Sequence, residues 1–193
     1  MILGVSGSPR NRATEYVLRQ ALNQLNLAGY ETTFWGVRGK TFGFCNHCDY
    51  CLKGEGCVID DDIQELYPLL EQADAYVFAT PVYNGSVSGQ LKAVMDRTRA
   101  LFASNNKALR HKPGLAIAVG GDRAGGQEHA IQVLLNYYTM SGAVPVSGGF
   151  FGANLGASFW SKDTLNGVKE DEEGFRALDK SLKRLIKYMK KEK

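Results

Sequence analysis

The sequence predicts a three-layer α/β protein in which helices cover both faces of one parallel sheet. Short apolar segments alternate along the chain with longer segments whose apolar residues recur at helical spacing. Such alternation is typical of parallel sheets built from strand–helix–strand units. At 193 residues, with 44% hydrophobic and 22% charged residues, the composition is that of a globular chain. We therefore expect residues 1–193 to form a single domain.

Five strands are expected, over residues 1–5, 30–35, 75–79, 114–119 and 144–151. Helical spacing predicts helices over 13–28, 88–102 and 127–141, and a C-terminal helix with apolar residues from Phe175 to Met189. Another helix follows Asp60 or Asp61, either of which can cap it. Five strands in a chain of this length favour the flavodoxin-like strand order 2-1-3-4-5 over a six-stranded dinucleotide fold.

Composition argues against several classes of protein. The net charge is only +3, whereas nucleic-acid-binding domains usually carry a concentrated basic stripe, so no nucleic-acid partner is expected. No apolar run approaches the roughly 18 residues that cross a bilayer, and the apolar start is too short for a signal peptide. We expect a cytoplasmic protein with no membrane partner.

The segment between the first strand and the first helix, residues 6–14, has the composition of a phosphate site. Ligands of open α/β sheets bind beyond the carboxyl ends of the strands, and a helix N-terminus there attracts anions. The glycine spacing of the dinucleotide and nucleoside triphosphate loops is absent. An ordinary polar turn would also fit this segment. The candidate ligands are Ser6, Ser8, Arg10, Asn11 and Thr14, with Arg12 as a second possible source of positive charge.

Two further loops follow the third and fourth strands and would reach the same edge of the sheet. A flavin ring is flat and largely apolar, with hydrogen-bonding atoms along one edge, so an aromatic residue beside polar and glycine residues suits it. Either loop alone is also compatible with a plain turn. Together with residues 6–14 they predict a ligand site at which the candidates are Pro81, Val82, Tyr83, Asn84, Gly85, Gly120, Gly121, Asp122 and Gly125.

These segments resemble the NAD(P)H-dependent FMN reductase superfamily. The resemblance lies in Ser6-Gly7-Ser8-Pro9-Arg10, in Pro81-Val82-Tyr83-Asn84-Gly85-Ser86 followed by Gln90-Leu91-Lys92-Ala93, and in Gly125-Gly126-Gln127-Glu128. It spans roughly residues 1 to 150 in order. It implies FMN as cofactor, with the phosphate on residues 6–14 and the ring on the loops 81–86 and 120–126.

Four cysteines form the pattern C-x2-C-x2-C-x5-C within residues 42–58, hereafter the cysteine segment. In a reducing compartment such a cluster indicates metal or redox chemistry rather than disulfides. Successive x2 spacings are typical of thiolates that wrap a [4Fe-4S] cluster, whereas four-cysteine zinc sites usually use two separated pairs. The spacing favours iron–sulfur and leaves zinc as the alternative. The expected metal ligands are Cys45, Cys48, Cys51 and Cys57.

A cysteine segment placed after the second strand of an FMN domain resembles the iron-sulfur flavoprotein family of anaerobic archaea and bacteria. The resemblance covers almost the whole chain. It implies one [4Fe-4S] cluster on the four cysteines, one FMN per subunit, a homodimer or homotetramer, and electron exchange with a ferredoxin-like donor.

The expected function is therefore conversion between one-electron and two-electron redox chemistry. The cluster handles single electrons and FMN one or two, so the chain would carry electrons from ferredoxin to a small acceptor such as oxygen, peroxide or a quinone. No catalytic side chain is predicted, because no nucleophile–base arrangement is required. Two alternatives remain: an NAD(P)H-dependent FMN or quinone reductase with a structural zinc, and a binding module without flavin.

Overall fold

The structure is a computed structural model that describes residues 1–54, 56–151 and 155–191, except for the side chain of residue 191. The strands are β1 (Ile2–Ser6), β2 (Thr32–Gly36), β3 (Ala75–Pro81), β4 (Pro113–Gly120), β5 (Val144–Val146) and β6 (Ala157–Trp160). The α-helices are α1 (Ala13–Leu27), α2 (Leu66–Gln72), α3 (Gly89–Arg97), α4 (Arg99–Ser104), α5 (Gln127–Met140), α6 (Leu165–Lys169) and α7 (Glu172–Lys191).

All strands pair in parallel, in the order β2-β1-β3-β4-β5. This confirms the predicted flavodoxin-like order. The strand β6, which was not predicted, pairs with β4 on the same side as β5. Every residue of β1, β3 and β4 is buried, as expected of central strands covered on both faces.

The predicted fifth strand is too long. It ends at Val146, and residues 147–151 form no strand. A pair of glycines at 148–149, the second with φ +97°, explains the early end, because glycine weakens strands and permits turns. The strand β5 pairs only with residues 113–115 of β4, and β6 pairs with residues 117–120. Two short strands thus share one edge of β4.

Helices cover the two faces of the sheet in separate groups. One apolar cluster joins the sheet to α1, α6 and α7, and includes the α7 residues Leu178, Leu182 and Leu185, which the helical spacing predicted. The other cluster joins the opposite face to α2, α3, α4 and α5. The three-layer architecture is therefore confirmed. Among the described helices, none combines the length and the apolar character that crossing a bilayer requires.

The helix predicted over 88–102 is two helices. The break falls at Thr98, whose hydroxyl donates to the carbonyl of Met95 (2.6 Å) and whose N–H is shared by the carbonyls of Val94 and Met95. Threonine hydroxyls that bond to the preceding turn bend helices. As a result α3 ends at Arg97, and α4 begins at Arg99.

The ring of Tyr138 fills the space beside Gly114 of β4 that a side chain at this position would occupy. Its hydroxyl donates to the carbonyl of Leu115 (3.0 Å) and accepts from the N–H of Phe78 (3.2 Å). A Cβ placed on Gly114 would lie 2.8 Å from the ring of Tyr138. Burial raises the pKa of the Tyr138 hydroxyl well above its ordinary value of 10. Glycine at position 114 is therefore required by this packing.

We expect Gly114→Ala to destabilise the fold by about 1–3 kcal/mol, because the added methyl group overpacks the space that the ring of Tyr138 fills. Urea unfolding measures the change. Gly89→Ala is the matched control, since a Cβ at this first residue of α3 meets nothing within 4 Å. Equal unfolding midpoints for the two variants would contradict this account of Gly114.

Candidate functional site

The three predicted ligand loops meet at the carboxyl edge of the sheet, because β1, β3 and β4 are adjacent and parallel. They enclose a cavity of about 50 Å³, hereafter the rim cavity. Of the residues predicted to bind the cofactor, its lining includes Ser8, Arg10, Thr14, Pro81, Val82, Tyr83 and Gly121. The remaining candidates lie outside that lining. Ser6 and Gly120 are the last residues of β1 and β4, and the others stand in the same loops: Asn11, Asn84, Gly85, Asp122 and Gly125.

The loop before α1 has the features of an anion site. The hydroxyl of Ser8 donates to the carbonyl of Arg10 (2.8 Å) and accepts from its N–H (3.1 Å), which folds the loop into a tight turn. Arg12 precedes the first residue of α1, and no side chain caps this end of the helix. Its first N–H groups are thus available to a ligand, and the helix dipole favours a negative charge there. The rim cavity therefore fits a phosphate group.

A two-residue turn brings the second loop against the third. The N–H groups of Tyr83 and Ser86 each bond to the carbonyl of the other (3.0 Å), and the residues between them, Asn84 and Gly85, have φ of +49° and +74°. This is the Asn-Gly type I′ geometry of tight hairpins. A Cβ on Gly126 would lie 2.8 Å from the Cα of Gly85. The two loops are therefore in backbone contact.

A fourth loop, which follows β6, also reaches the rim cavity. Its residues Ser161, Asp163 and Thr164 line the cavity and were not predicted. The N–H and hydroxyl of Ser161 both donate to the carbonyl of Gly120 (2.8 and 3.0 Å). The prediction missed them because it extended the fifth strand over 147–151. The available signal was the apolar alternation of 157–160 followed by a helix that Thr164 caps.

Glu15 places a buried carboxylate in the first turn of α1, close to the anion site. Its side chain is 2% exposed and is bound by Arg38 (2.9 and 3.1 Å) and Arg19 (2.8 and 3.0 Å). Burial alone would raise the pKa of Glu15, but the bonds and charges of the two arginines outweigh it and lower the pKa below its ordinary value of 4.5. Its negative charge is thereby compensated, and an anion nearby meets little repulsion.

The four cysteine side chains line one small cavity of about 20 Å³, and each is a free thiol. Left-handed backbone at His47, Asp49, Gly54 and Gly56 winds the segment around this cavity. Among the described residues, no three His, Cys, Asp or Glu side chains are arranged to hold a single metal ion. The donor set itself, four thiols on one cavity, suits an iron–sulfur cluster or zinc.

Two arginines of the neighbouring helices also line the cysteine cavity, Arg97 and Arg99. Arg99 donates to Asp49 within the segment (2.6 Å), and this bond raises the pKa of Arg99. Electrostatic interaction with Cys51 and Cys45 raises it further. Two permanent positive charges therefore face the thiols, as suits a group that four thiolates make anionic.

Arg97 and Asp61 form a buried ion pair beside this cavity, 1% and 10% exposed respectively. Burial alone would raise the pKa of Asp61, but the bonds from Arg97 and from two backbone N–H groups outweigh it and lower the pKa. Burial likewise would lower the pKa of Arg97, but the bond to Asp61 raises it. Both groups are ionised at neutral pH.

The fold and the site define a class of protein before any comparison with relatives. A parallel sheet in this order, with a cavity lined by the loops at the carboxyl ends of its central strands, is that of a flavodoxin-like protein.

The sequence profile of the NADPH-dependent FMN reductase family matches residues 1–157. An iron-sulfur flavoprotein of Archaeoglobus fulgidus is 60% identical over 191 residues, which cover 99% of this chain and 98% of the relative. One from Methanocaldococcus jannaschii is 50% identical over 100% and 98% of the two chains. An iron-sulfur flavoprotein of Methanosarcina thermophila is 35% identical over 95% of this chain and 92% of the relative. The chain therefore belongs to the iron-sulfur flavoproteins, within the NADPH-dependent FMN reductase family, and is an oxidoreductase.

Solved structures agree on the fold. RosB, with the bound intermediate 8-demethyl-8-formylriboflavin-5′-phosphate, superimposes with a TM-score of 0.77 at 17% identity, over 98% of this chain and 79% of RosB. The flavodoxin, WrbA-like protein from Agrobacterium tumefaciens gives a TM-score of 0.65 at 15% identity, over 98% of this chain and 96% of that protein. The flavodoxin-like fold is thus shared with proteins of very different sequence.

We expect Glu15→Gln to destabilise the fold at neutral pH by about 1–2 kcal/mol, because it removes the charge that two arginines bind. Since the folded pKa of Glu15 is depressed, its contribution to stability is complete above the ordinary value of 4.5 and is lost as the pH falls through the folded value. Urea unfolding between pH 7 and pH 3 should show that the difference in unfolding free energy between wild type and variant disappears below about pH 4. Exposed Glu31→Gln is the control, and a gap independent of pH would contradict the assignment.

Proposed function

We propose that this chain is a single-domain redox flavoprotein that binds FMN at the rim cavity and a [4Fe-4S] cluster in the cysteine segment. In this function it carries electrons from a one-electron donor such as ferredoxin to a small acceptor, either oxygen, peroxide or a quinone. The observation that carries the proposal is the convergence of four free thiols on one cavity beside two arginines. The likeness to proteins named iron-sulfur flavoproteins, matched over nearly their full length, supports it.

The two cofactors, when bound, would supply the exchange between single electrons and electron pairs. At the rim, the uncapped N-terminus of α1 and the side chains of Arg10, Arg12 and Thr14 would hold the phosphate. The turn at Asn84–Gly85 and the backbone of the loop after β4 would present N–H and carbonyl groups to the polar edge of the ring. Tyr83 would pack against the ring.

In the cysteine segment, Cys45, Cys48, Cys51 and Cys57 would be the ligands. Arg99 and Arg97 would balance part of the thiolate charge, a property that influences the reduction potential of such centres. The low exposure of Arg97 also limits the access of water on that side of the cavity.

Helix α3 joins the two proposed cofactor sites. At its start, the hydroxyl of Ser88 accepts from the N–H of Leu91 (3.1 Å) and donates to the carbonyl of Gly7 in the phosphate loop (2.6 Å). At its end, Arg97 lines the cysteine cavity. Nine residues at about 1.5 Å each separate the ends by roughly 13 Å. One rigid element therefore sets the spacing of the sites within a chain.

The proposed assembly is a homodimer or homotetramer in the cytoplasm, with no nucleic-acid or membrane partner. A groove of about 520 Å³ between α3, α4 and α5 supports a contact between copies. Its lining includes Met95, Phe102 and Met140, and the side chain of Met140 is 89% exposed. Large exposed apolar side chains in a groove are typical of protein interfaces. Arg99 borders both this groove and the cysteine cavity, so a partner there would lie close to the cluster.

We expect protein purified without oxygen to contain about four irons, four inorganic sulfides and one FMN per chain. Elemental analysis, sulfide assay and flavin absorbance on one sample measure these ratios. About one zinc and no iron would instead establish the alternative, an NAD(P)H-dependent FMN or quinone reductase with a structural metal. Cys45→Ser is expected to lose the iron and keep the flavin, since the sites are separate.

We expect Gly126→Ala to weaken FMN binding about tenfold, because its Cβ would displace the turn at Asn84–Gly85 by contact with the backbone of Gly85. Titration of flavin-free protein, followed by quenching of FMN fluorescence, measures the dissociation constant. Gly29→Ala is the matched control: its φ of +89° carries a similar backbone cost, but a Cβ there meets nothing. Equal affinities in both variants would argue against this turn as part of the flavin site.

A further inference from the structure

Arg97, the last residue of α3, is the largest fully buried side chain among the described residues. Its Nη1 donates to the carbonyl of Gly43 (2.9 Å) and to Oδ2 of Asp61 (2.7 Å). Its Nη2 donates to the carbonyl of Ile59 (3.1 Å) and to Oδ1 of Asp61 (3.0 Å). The guanidinium is thus bound in a planar, two-pronged manner that lysine cannot reproduce.

These bonds join the two ends of the cysteine segment to each other. Gly43 precedes Cys45 by two residues, and Ile59 follows Cys57 by two residues. Asp61 strengthens the junction, since its Oδ2 also accepts from the N–H of Gly43 (2.9 Å). Closing a loop of this length costs conformational entropy, which the junction offsets in the folded protein before any ligand binds.

The same side chain reaches the thiols. Arg97 lines the cysteine cavity, and its positive charge interacts with Cys57. Its Nε–H is buried and has no acceptor among the described residues. Buried donors are nearly always bonded, so a free one beside a ligand cavity indicates an acceptor other than the described residues.

We propose that Arg97 is the positioning residue of the cysteine segment: its two-pronged bonds to Gly43, Ile59 and Asp61 hold the four thiols in place for the cluster. The proposal rests on the proposed function for the identity of the cluster. Arg97 acts by fixing the positions of the two ends of the cysteine segment, and its positive charge is secondary. An element of the FMN-binding fold, α3, therefore organises the second cofactor site.

Arg97→Lys and Arg97→Met test the proposal together. Lysine keeps the positive charge but cannot form the two-pronged bonds. Methionine loses both the charge and the bonds and keeps a long apolar side chain. If the two-pronged bonds position the cysteine segment, both variants should release iron to a chelator such as bathophenanthroline at least about tenfold faster than wild type. The reason is that each variant loses several hydrogen bonds that the guanidinium donates. Exposed Arg110→Lys is the control and should behave as wild type.

A lysine variant that releases iron like wild type would overturn the proposal and assign the effect to charge. General unfolding is separated from local opening by hydrogen exchange. We expect faster exchange in residues 43–61, including the Gly43 N–H, with the central strands unchanged and FMN still bound. Exchange that rises equally in β1, β3 and β4 would also overturn the proposal, since the arginine would then only stabilise the fold.

A further measurement does not depend on iron. In protein stripped of metal, the four thiols should react faster with Ellman's reagent in both Arg97 variants than in wild type and Arg110→Lys. If wild type carries no iron, the proposed function fails, but this thiol measurement still decides the role of Arg97. Equal thiol rates in all four proteins would overturn that role, whatever the iron content.

Discussion

The structure depends on the parallel arrangement of β1, β3 and β4 as neighbours at the centre of the sheet. Because these strands run in one direction, the loops that follow them meet at one edge, and segments separated by more than one hundred residues form a single cavity. Complete burial of the three strands fixes their register through the apolar packing of both layers of helices. The site requires little more of the loops than small residues where they touch, as at Gly85 and Gly126.

The cysteine segment is organised by other means. It follows the edge strand β2 and lies outside the sheet, so strand pairing cannot position it. Its conformation is fixed by left-handed turns and by two ion pairs, one between Arg99 and Asp49 and one, buried, between Arg97 and Asp61. Burying a charge pair is costly, and in some proteins such a pair determines a specific arrangement. This suits a segment whose large apolar side chains Phe44, Leu52 and Val58 are exposed.

Much of the fold was predictable from the sequence, because it is encoded by local periodicity. The α7 positions Leu178, Leu182 and Leu185 recur at helical spacing and are buried, and the strands 75–79 and 114–119 lie within β3 and β4. The split of the helix at Thr98 was not predictable, since it depends on one hydroxyl bond to the preceding turn. The predicted fifth strand was too long for a related reason: Phe150 and Phe151 were included in it, but the glycine pair at 148–149 ends the strand before them.

In the candidate site, too, local features could be predicted and long-range contacts could not. Residues that follow a strand directly, such as Ser8 and Tyr83, could be assigned from their position alone. Arg97 could not, because its role arises from contacts with residues 36 to 54 positions earlier in the chain. Asp163 was missed because the strand before it was not recognised.

The length of α3 has an evolutionary consequence. Its start is tied to Gly7 through Ser88, and its end to the cysteine segment through Arg97. A single inserted residue would rotate the guanidinium by about 100° around the helix axis and carry it away from its carboxylate. Natural variation in this helix should therefore be confined to substitutions, with insertions and deletions tolerated only in the loops outside it.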